Sequence, residues 1–113
     1  MKRLLLSVIL AAPLVCFGKA PACANWPTKM AISSLKNAGI TDPTKLDESK
    51  TKAVLLASEK TGKDLYRQIY DITFVDKSGA KFQVITRSEA SSGECSMSGV
   101  DVYVISQKID GGQ

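Results

Sequence analysis

A chain of 113 residues has room for one domain. It holds no histidine, which excludes the Ser-His-Asp and Cys-His forms of nucleophilic catalysis and removes the commonest zinc ligand. Its net charge falls from +4 to +2 once Lys2 and Arg3 are set aside, and the other charges are mixed in sign from Lys29 to Asp64, a solvated surface rather than a nucleic-acid footprint.

The chain opens Met1-Lys2-Arg3 and continues from Leu4 to Val15 almost entirely apolar. A basic start, an apolar stretch of about 12 residues and then small residues make a secretory signal peptide. The stretch is too short to cross a bilayer as a helix, which takes about 20 residues. Two cuts compete. Cleavage after Gly18 uses Cys16 and Gly18 as the small residues and leaves Lys19 first. Cleavage after Ala24 uses Ala22-Cys23-Ala24 and leaves Asn25 first. A cut after Ala20 would put Pro21 first, which leader peptidases refuse. A lipoprotein cut before Cys23 lacks the usual leucine.

Cysteine arithmetic favours the first cut. The second would leave Cys95 alone in an oxidising compartment, where odd thiols form stray disulfides. The first keeps Cys23 and Cys95. A bridge between them would close a loop of roughly 70 residues and stabilise the domain by about 4 kcal/mol. So small a core is otherwise marginal. The expected organisation is a signal peptide over 1–18 (alternatively 1–24), a single domain over 19–113, and a flexible tail over 110–113. The expected location is the bacterial periplasm or beyond, with no membrane insertion after cleavage.

Trp26-Pro27 opens the first element, because proline suits the first turn of a helix. Ala31, Ile32, Leu35 and Ala38 form an apolar stripe, and Gly39 suits a left-handed cap. The spacing predicts a helix over 27–38, with Trp26 packing against it. Thr41 to Ser49 is polar and reads as a turn around Asp42-Pro43. Strands are expected over 52–59, 65–75, 81–87 and 100–109, separated by the turns Lys60–Asp64 and Asp76–Gly79. A Ser/Gly-rich loop over 88–99 carries Cys95. Short turns let successive strands pair antiparallel. The fold class is α+β: an N-terminal helix packed on a four-stranded antiparallel sheet, as in the cystatin-like plan.

Alternation assigns the faces. Tyr70, Ile72, Phe74, Phe82, Val84, Val100, Val102 and Val104 are expected under the helix. The opposite face then carries Ile69, Val75, Ile85, Tyr103 and Ile105 among Arg67, Asp71, Thr73, Arg87 and Asp101. So apolar an outer face marks a binding or self-association surface. Arg67, Ile69, Ile85, Arg87, Tyr103 and Ile105 are the candidate partner-binding residues, with the 88–99 loop beside them.

Catalytic chemistry is scarce. There is no CxxC pair and no cysteine-rich metal cluster. Asp71 and Asp76 bracket a strand but point to opposite faces. Lys60-Thr-Gly-Lys63 is a turn and no phosphate cradle, since no glycine stands five residues ahead of Gly62. No enzyme activity, metal or cofactor is expected.

The layout resembles the family of small secreted bacterial proteins that includes YebF and the colicin M immunity protein. The likeness lies in a cysteine ahead of the first helix (Cys23 before Trp26-Pro27), an antiparallel meander (Lys52 to Arg87) and a late second cysteine (Cys95). The long loop before Cys95 departs from that plan. The resemblance implies a disulfide-closed α+β domain that binds another protein without catalysis. The leading expectation is an exported immunity protein or inhibitor. The runner-up is a structural or envelope-stress protein that self-associates, as a homodimer for example, through the same face. A small hydrolase comes third.

Overall fold

The computed structural model describes residues 21–105. The signal peptide and the tail expected from the sequence lie outside the described residues, as does the stretch 106–109. One helix, α1 (Asn25–Asn37), is followed by two 3-10 turns (Pro43–Lys45 and Glu48–Lys50). Four strands then come in succession: β1 (Lys52–Gly62), β2 (Leu65–Val75), β3 (Lys81–Ala90) and β4 (Asp101–Ile105). They form one antiparallel sheet in the order β1-β2-β3-β4. The architecture is α+β, with the helix first among the described elements.

The helix begins two residues earlier than its periodicity predicts. Pro27 therefore occupies the third helical position and not the first. Nothing is lost, because the N–H groups of the first turn have no intrahelical partner in any case. The first bond of the ladder runs from Thr28 N–H to the Ala24 carbonyl, 3.1 Å away. At the other end Gly39 takes φ +74°. Its N–H bonds the Lys36 carbonyl while the Ile40 N–H bonds that of Leu35, the paired closure of a Schellman motif. Ala38, expected on the apolar stripe, is exposed and forms the cap instead. Pro27, Ala31 and Leu35 are the residues α1 buries.

The core is the helix stripe against the inner face of β2 and β3. Ala31, Leu35, Leu46, Tyr70, Ile72, Phe74 and Val84 form one buried cluster, with Ala24, Ile32, Ala53, Phe82 and Val102 packed at its margin. Burying side chains such as Leu35, Ile72 and Phe74 stabilises the fold by about 1.5–3 kcal/mol each. Leu46 is the unexpected member. The segment 41–51 does not simply turn. Asp47 N–H bonds the Val75 carbonyl and Lys77 N–H bonds that of Lys45, both at 2.8 Å. These bonds bridge Leu46 to Asp76 and press the leucine into the core.

Two expected core residues lie elsewhere. Val104 is 39% exposed, because β4 is an edge strand and lies at the margin of the helix-covered face. Val100 precedes β4 and belongs to the loop. The strand bounds shift too. β1 runs on to Gly62, so that only Lys63-Asp64 make the turn, with Asp64 at φ +54°. β3 runs on to Ala90, since Gln68, Arg67 and Tyr66 of β2 continue to pair with Ser88, Glu89 and Ala90. The loop proper is therefore 91–100.

Below the aliphatic cluster the inner face turns polar. Gln68, Thr86 and Ser88 are buried there. Gln68 Nε2 donates to the Pro21 carbonyl (2.9 Å) and to Ser58 Oγ (3.2 Å). Cys23 N–H donates to the Tyr70 hydroxyl at 3.2 Å, and burial of Tyr70 raises the pKa of that hydroxyl above its usual value. Cys23 and Cys95 form a disulfide across 72 residues of sequence. The segment 21–24 is thus held against the sheet by a covalent bond and two hydrogen bonds.

Four aspartates organise the turns. Asp42 and Asp47 each accept the N–H and hydroxyl of the residue two positions on. Asp76 accepts from Ser78 N–H, Ser78 Oγ and Ala80 N–H, and Asp64 reaches Ser92 N–H and Oγ at 3.1 and 2.7 Å. Bonds from serine or threonine N–H and hydroxyl groups hold all four carboxyls below their usual pKa.

Two predictions follow from the bridge and these turns. Cys95→Ser should destabilise the domain by about 4 kcal/mol, the chain-entropy value for a loop of this length. Cys23→Ser should cost the same, and the double variant no more, as read from urea denaturation. The depressed carboxyl pKa values set the sign of the pH effect. Their stabilisation is complete above the ordinary carboxylate range and is lost as pH falls through the folded-state values. The Tm should hold steady above about pH 5 and drop below about pH 4, with a shallower drop in Asp76→Asn.

Candidate functional site

The sheet has two faces and the helix covers one. Direct cross-strand partners share a face, so the register lays out the other in rows. One row is Val54, Asp71, Ile85 and Tyr103. The next is Ala57, Ile69, Arg87 and Asp101. Lys52, Thr73, Gln83 and Ile105 form a third, and Glu59, Arg67 and Glu89 a fourth. All six residues singled out from the sequence therefore lie on this one face. Among the described residues no helix or strand packs over it. Tyr103 is 55% exposed, Val54 48% and Ile105 44%, while Ile69 and Ile85 are half-buried by their neighbours.

Both arginines of the face are paired with carboxylates. Arg67 Nη1 lies 3.3 Å from Glu59 Oε1. Arg87 donates from Nε (3.1 Å) and Nη2 (2.9 Å) to Asp101 Oδ2. Gln83 Nε2 bonds both oxygens of Asp71, at 3.0 and 3.1 Å. Exposed pairs of this kind contribute little to stability. Their consequence here is electrostatic: both guanidinium groups are compensated, while Asp71 keeps its charge under the neutral Gln83 amide and stands between Val54 and the adjacent pair Ile85 and Tyr103. Arg67 and Arg87, two of the candidate partner-binding residues, already hold carboxylates of their own chain.

Where the face meets the loop there is an open cleft of about 390 Å³, lined by Arg67, Arg87, Glu89, Ser98, Gly99 and Asp101 among others. The loop wall of this cleft is firmly attached. Met97 N–H bonds the Glu89 carbonyl (3.1 Å), and Glu89 N–H bonds Ser98 Oγ (2.8 Å). Ser92 is tied to Asp64, and Cys95 to Cys23. Trp26 adds a fifth attachment. Its indole N–H points to the Ser98 carbonyl at 3.4 Å. The tryptophan is half-buried, so besides packing it joins the helix start to the loop. A loop fixed in this way on a rigid scaffold presents a defined surface.

Asp71 and Asp76 do not converge. Asp71 lies on the outer face under the Gln83 amide, and Asp76 closes the β2–β3 turn. Among the described residues no three of Cys, Asp and Glu gather with the spacing of a metal site. What the site offers is shape and apolar area, framed by paired charges.

The contribution of β1 was hidden in the sequence. Val54 and Ala57 lie on the outer face, yet they are an odd number of residues apart and alternation alone puts them on opposite faces. The structure resolves this with a bulge between Leu55 and Ala57, which inserts Leu56 and reverses the phase. Three consecutive apolar residues, Val54-Leu-Leu56, were the available signal. Among the described residues no helix is long and apolar enough to cross a membrane. Compared with protein-family models, with curated proteins and with solved structures, the chain has no match.

Proposed function

We propose that the chain is a small exported binding module, of the immunity-protein or inhibitor kind, that blocks another protein by docking it on the outer sheet face. The observation that carries this reading is the exposure of Val54, Tyr103 and Ile105 on one sheet face, with half-buried Ile85 beside Tyr103 and the ion pairs Arg67–Glu59 and Arg87–Asp101 next to them. Apolar and aromatic side chains at the centre of a face, ringed by polar groups, are the arrangement that supplies binding energy in protein interfaces. The fixed 91–100 loop would form one rim. The cystatin-like plan and the likeness to the YebF and colicin M immunity family point the same way, as fold-level analogies.

Export rests on two supports. The basic and apolar start has the build of a signal peptide. The Cys23–Cys95 bridge is the kind of bond that persists in an oxidising compartment such as the bacterial periplasm. Catalysis has no support from the site: Arg67 and Arg87 are engaged by Glu59 and Asp101, and Asp71 is bonded by the Gln83 amide. Self-association through the same apolar row is the second reading, since such a row fits a second copy as well as a different protein.

The test is Tyr103→Asp. In the leading reading the wild-type protein is monomeric alone and co-purifies with one partner from an envelope extract. The variant loses that partner while its Tm stays within about 1 kcal/mol equivalent of wild type, as expected for an exposed site. A concentration-dependent dimer that the same substitution dissolves would replace the leading reading with self-association.

A further inference from the structure

We infer that the leader is removed at the Gly18–Lys19 bond, so that the segment 21–24 stays in the mature protein as a working part of the domain. The inference rests on the export reading above. It is carried by what that segment does in the fold. The Pro21 carbonyl accepts the amide of Gln68, a side chain only 1% exposed. Cys23 is buried, bonded to Cys95, and donates its N–H to Tyr70. Ala24 packs against the core, and its carbonyl takes the first N–H of the helix ladder.

Cleavage after Ala24, the rival A-x-A site, would remove all of these at once. Cys95 would lose its partner. Gln68 and Tyr70 would lose hydrogen bonds in the interior, where replacement by water is obstructed. A new α-ammonium would stand on Asn25, the first residue of α1, where the helix macrodipole is positive and disfavours a cation. The Ala20–Pro21 bond puts proline after the cut. The Gly18–Lys19 bond has small residues at both recognition positions, Cys16 and Gly18, and lies ahead of Pro21 and Cys23. Hydrolysis there adds one water across the amide. Gly18 leaves as a carboxylate on the leader and Lys19 begins the mature chain as an ammonium.

The experiment expresses the full chain in a bacterium and takes the intact mass of the exported protein, with and without reduction and alkylation. The expected product begins at Lys19 and resists alkylation until reduced, when Cys23 and Cys95 both react. Its unreduced mass is about 2 Da lower, the two hydrogens lost in one disulfide. An exported product beginning at Asn25 with one reactive thiol would overturn the inference and leave the export reading standing. A full-length chain retained in the cytoplasm would overturn both. Two variants sharpen the result, because leader cleavage precedes folding. Gly18→Leu should abolish the mature form and accumulate precursor, whereas Ala24→Leu should leave the start at Lys19. The reverse pattern would also count against the inference.

Discussion

The Cys23–Cys95 bond is the constraint on which most of this structure depends. It joins the residue just ahead of the helix to a loop that follows the third strand. A domain of this size buries too little surface for its core to be comfortably stable alone. Cross-linking two points so far apart in sequence cuts the entropy of the unfolded chain by a large amount. The bond also acts locally. By fixing Cys95 it sets the loop in place, and the Trp26–Ser98 and Glu89–Ser98 hydrogen bonds then position the loop beside the outer sheet face. By fixing Cys23 it seats the helix start over Tyr70 and Gln68. One covalent link therefore governs both the covered face of the sheet and the edge of the uncovered one.

A single helix over a four-stranded sheet leaves a structural remainder. The inner face closes into an apolar cluster, and the outer face must either be polar or be covered by something else. Here it is half of each. Asp71, Arg67, Arg87 and Asp101 are held in pairs or by Gln83, so they add solubility without a strong net field. Val54, Ile85, Tyr103 and Ile105 remain available. A face with one sign of charge would select partners by steering. A face whose arginines are already paired lacks that steering field, so under the docking proposed above shape and apolar contact would do the selecting.

How much was legible in the sequence varies with the type of signal. The strand Leu65–Val75 was readable to the residue, because it is rich in β-branched and aromatic residues and Asp64 and Asp76 punctuate its ends. The C-cap at Gly39 was readable because the left-handed conformation selects glycine. The disulfide was readable by counting thiols. Three features were not. Leu46 sits in a polar segment and enters the core only because long-range backbone bonds from Val75 and Lys77 hold it there. Thr86 and Ser88 are buried polar residues of β3, with Gln68 of β2 opposite Ser88, so a hydrophobic pattern ends β3 too early. The bulge at Leu56 reverses the alternation of β1 and hides Val54 from the outer row.

The same bulge bears on how the sheet avoids the wrong partners. β1 is a long edge strand with three consecutive exposed apolar residues, Val54, Leu55 and Leu56, and such an edge is a template for strand addition. The register shift between Leu55 and Ala57 interrupts the edge at its most apolar point, and a second shift between Lys60 and Gly62 interrupts it again near its end. Lys52 and Lys60 place charge along the same strand, a device that further penalises pairing with another sheet. The edge is thus protected by irregularity and charge while the outer face is not, which is consistent with the docking face proposed above. The phase reversal that makes β1 hard to read is also what turns Val54 toward Ile85 and Tyr103 and completes the row.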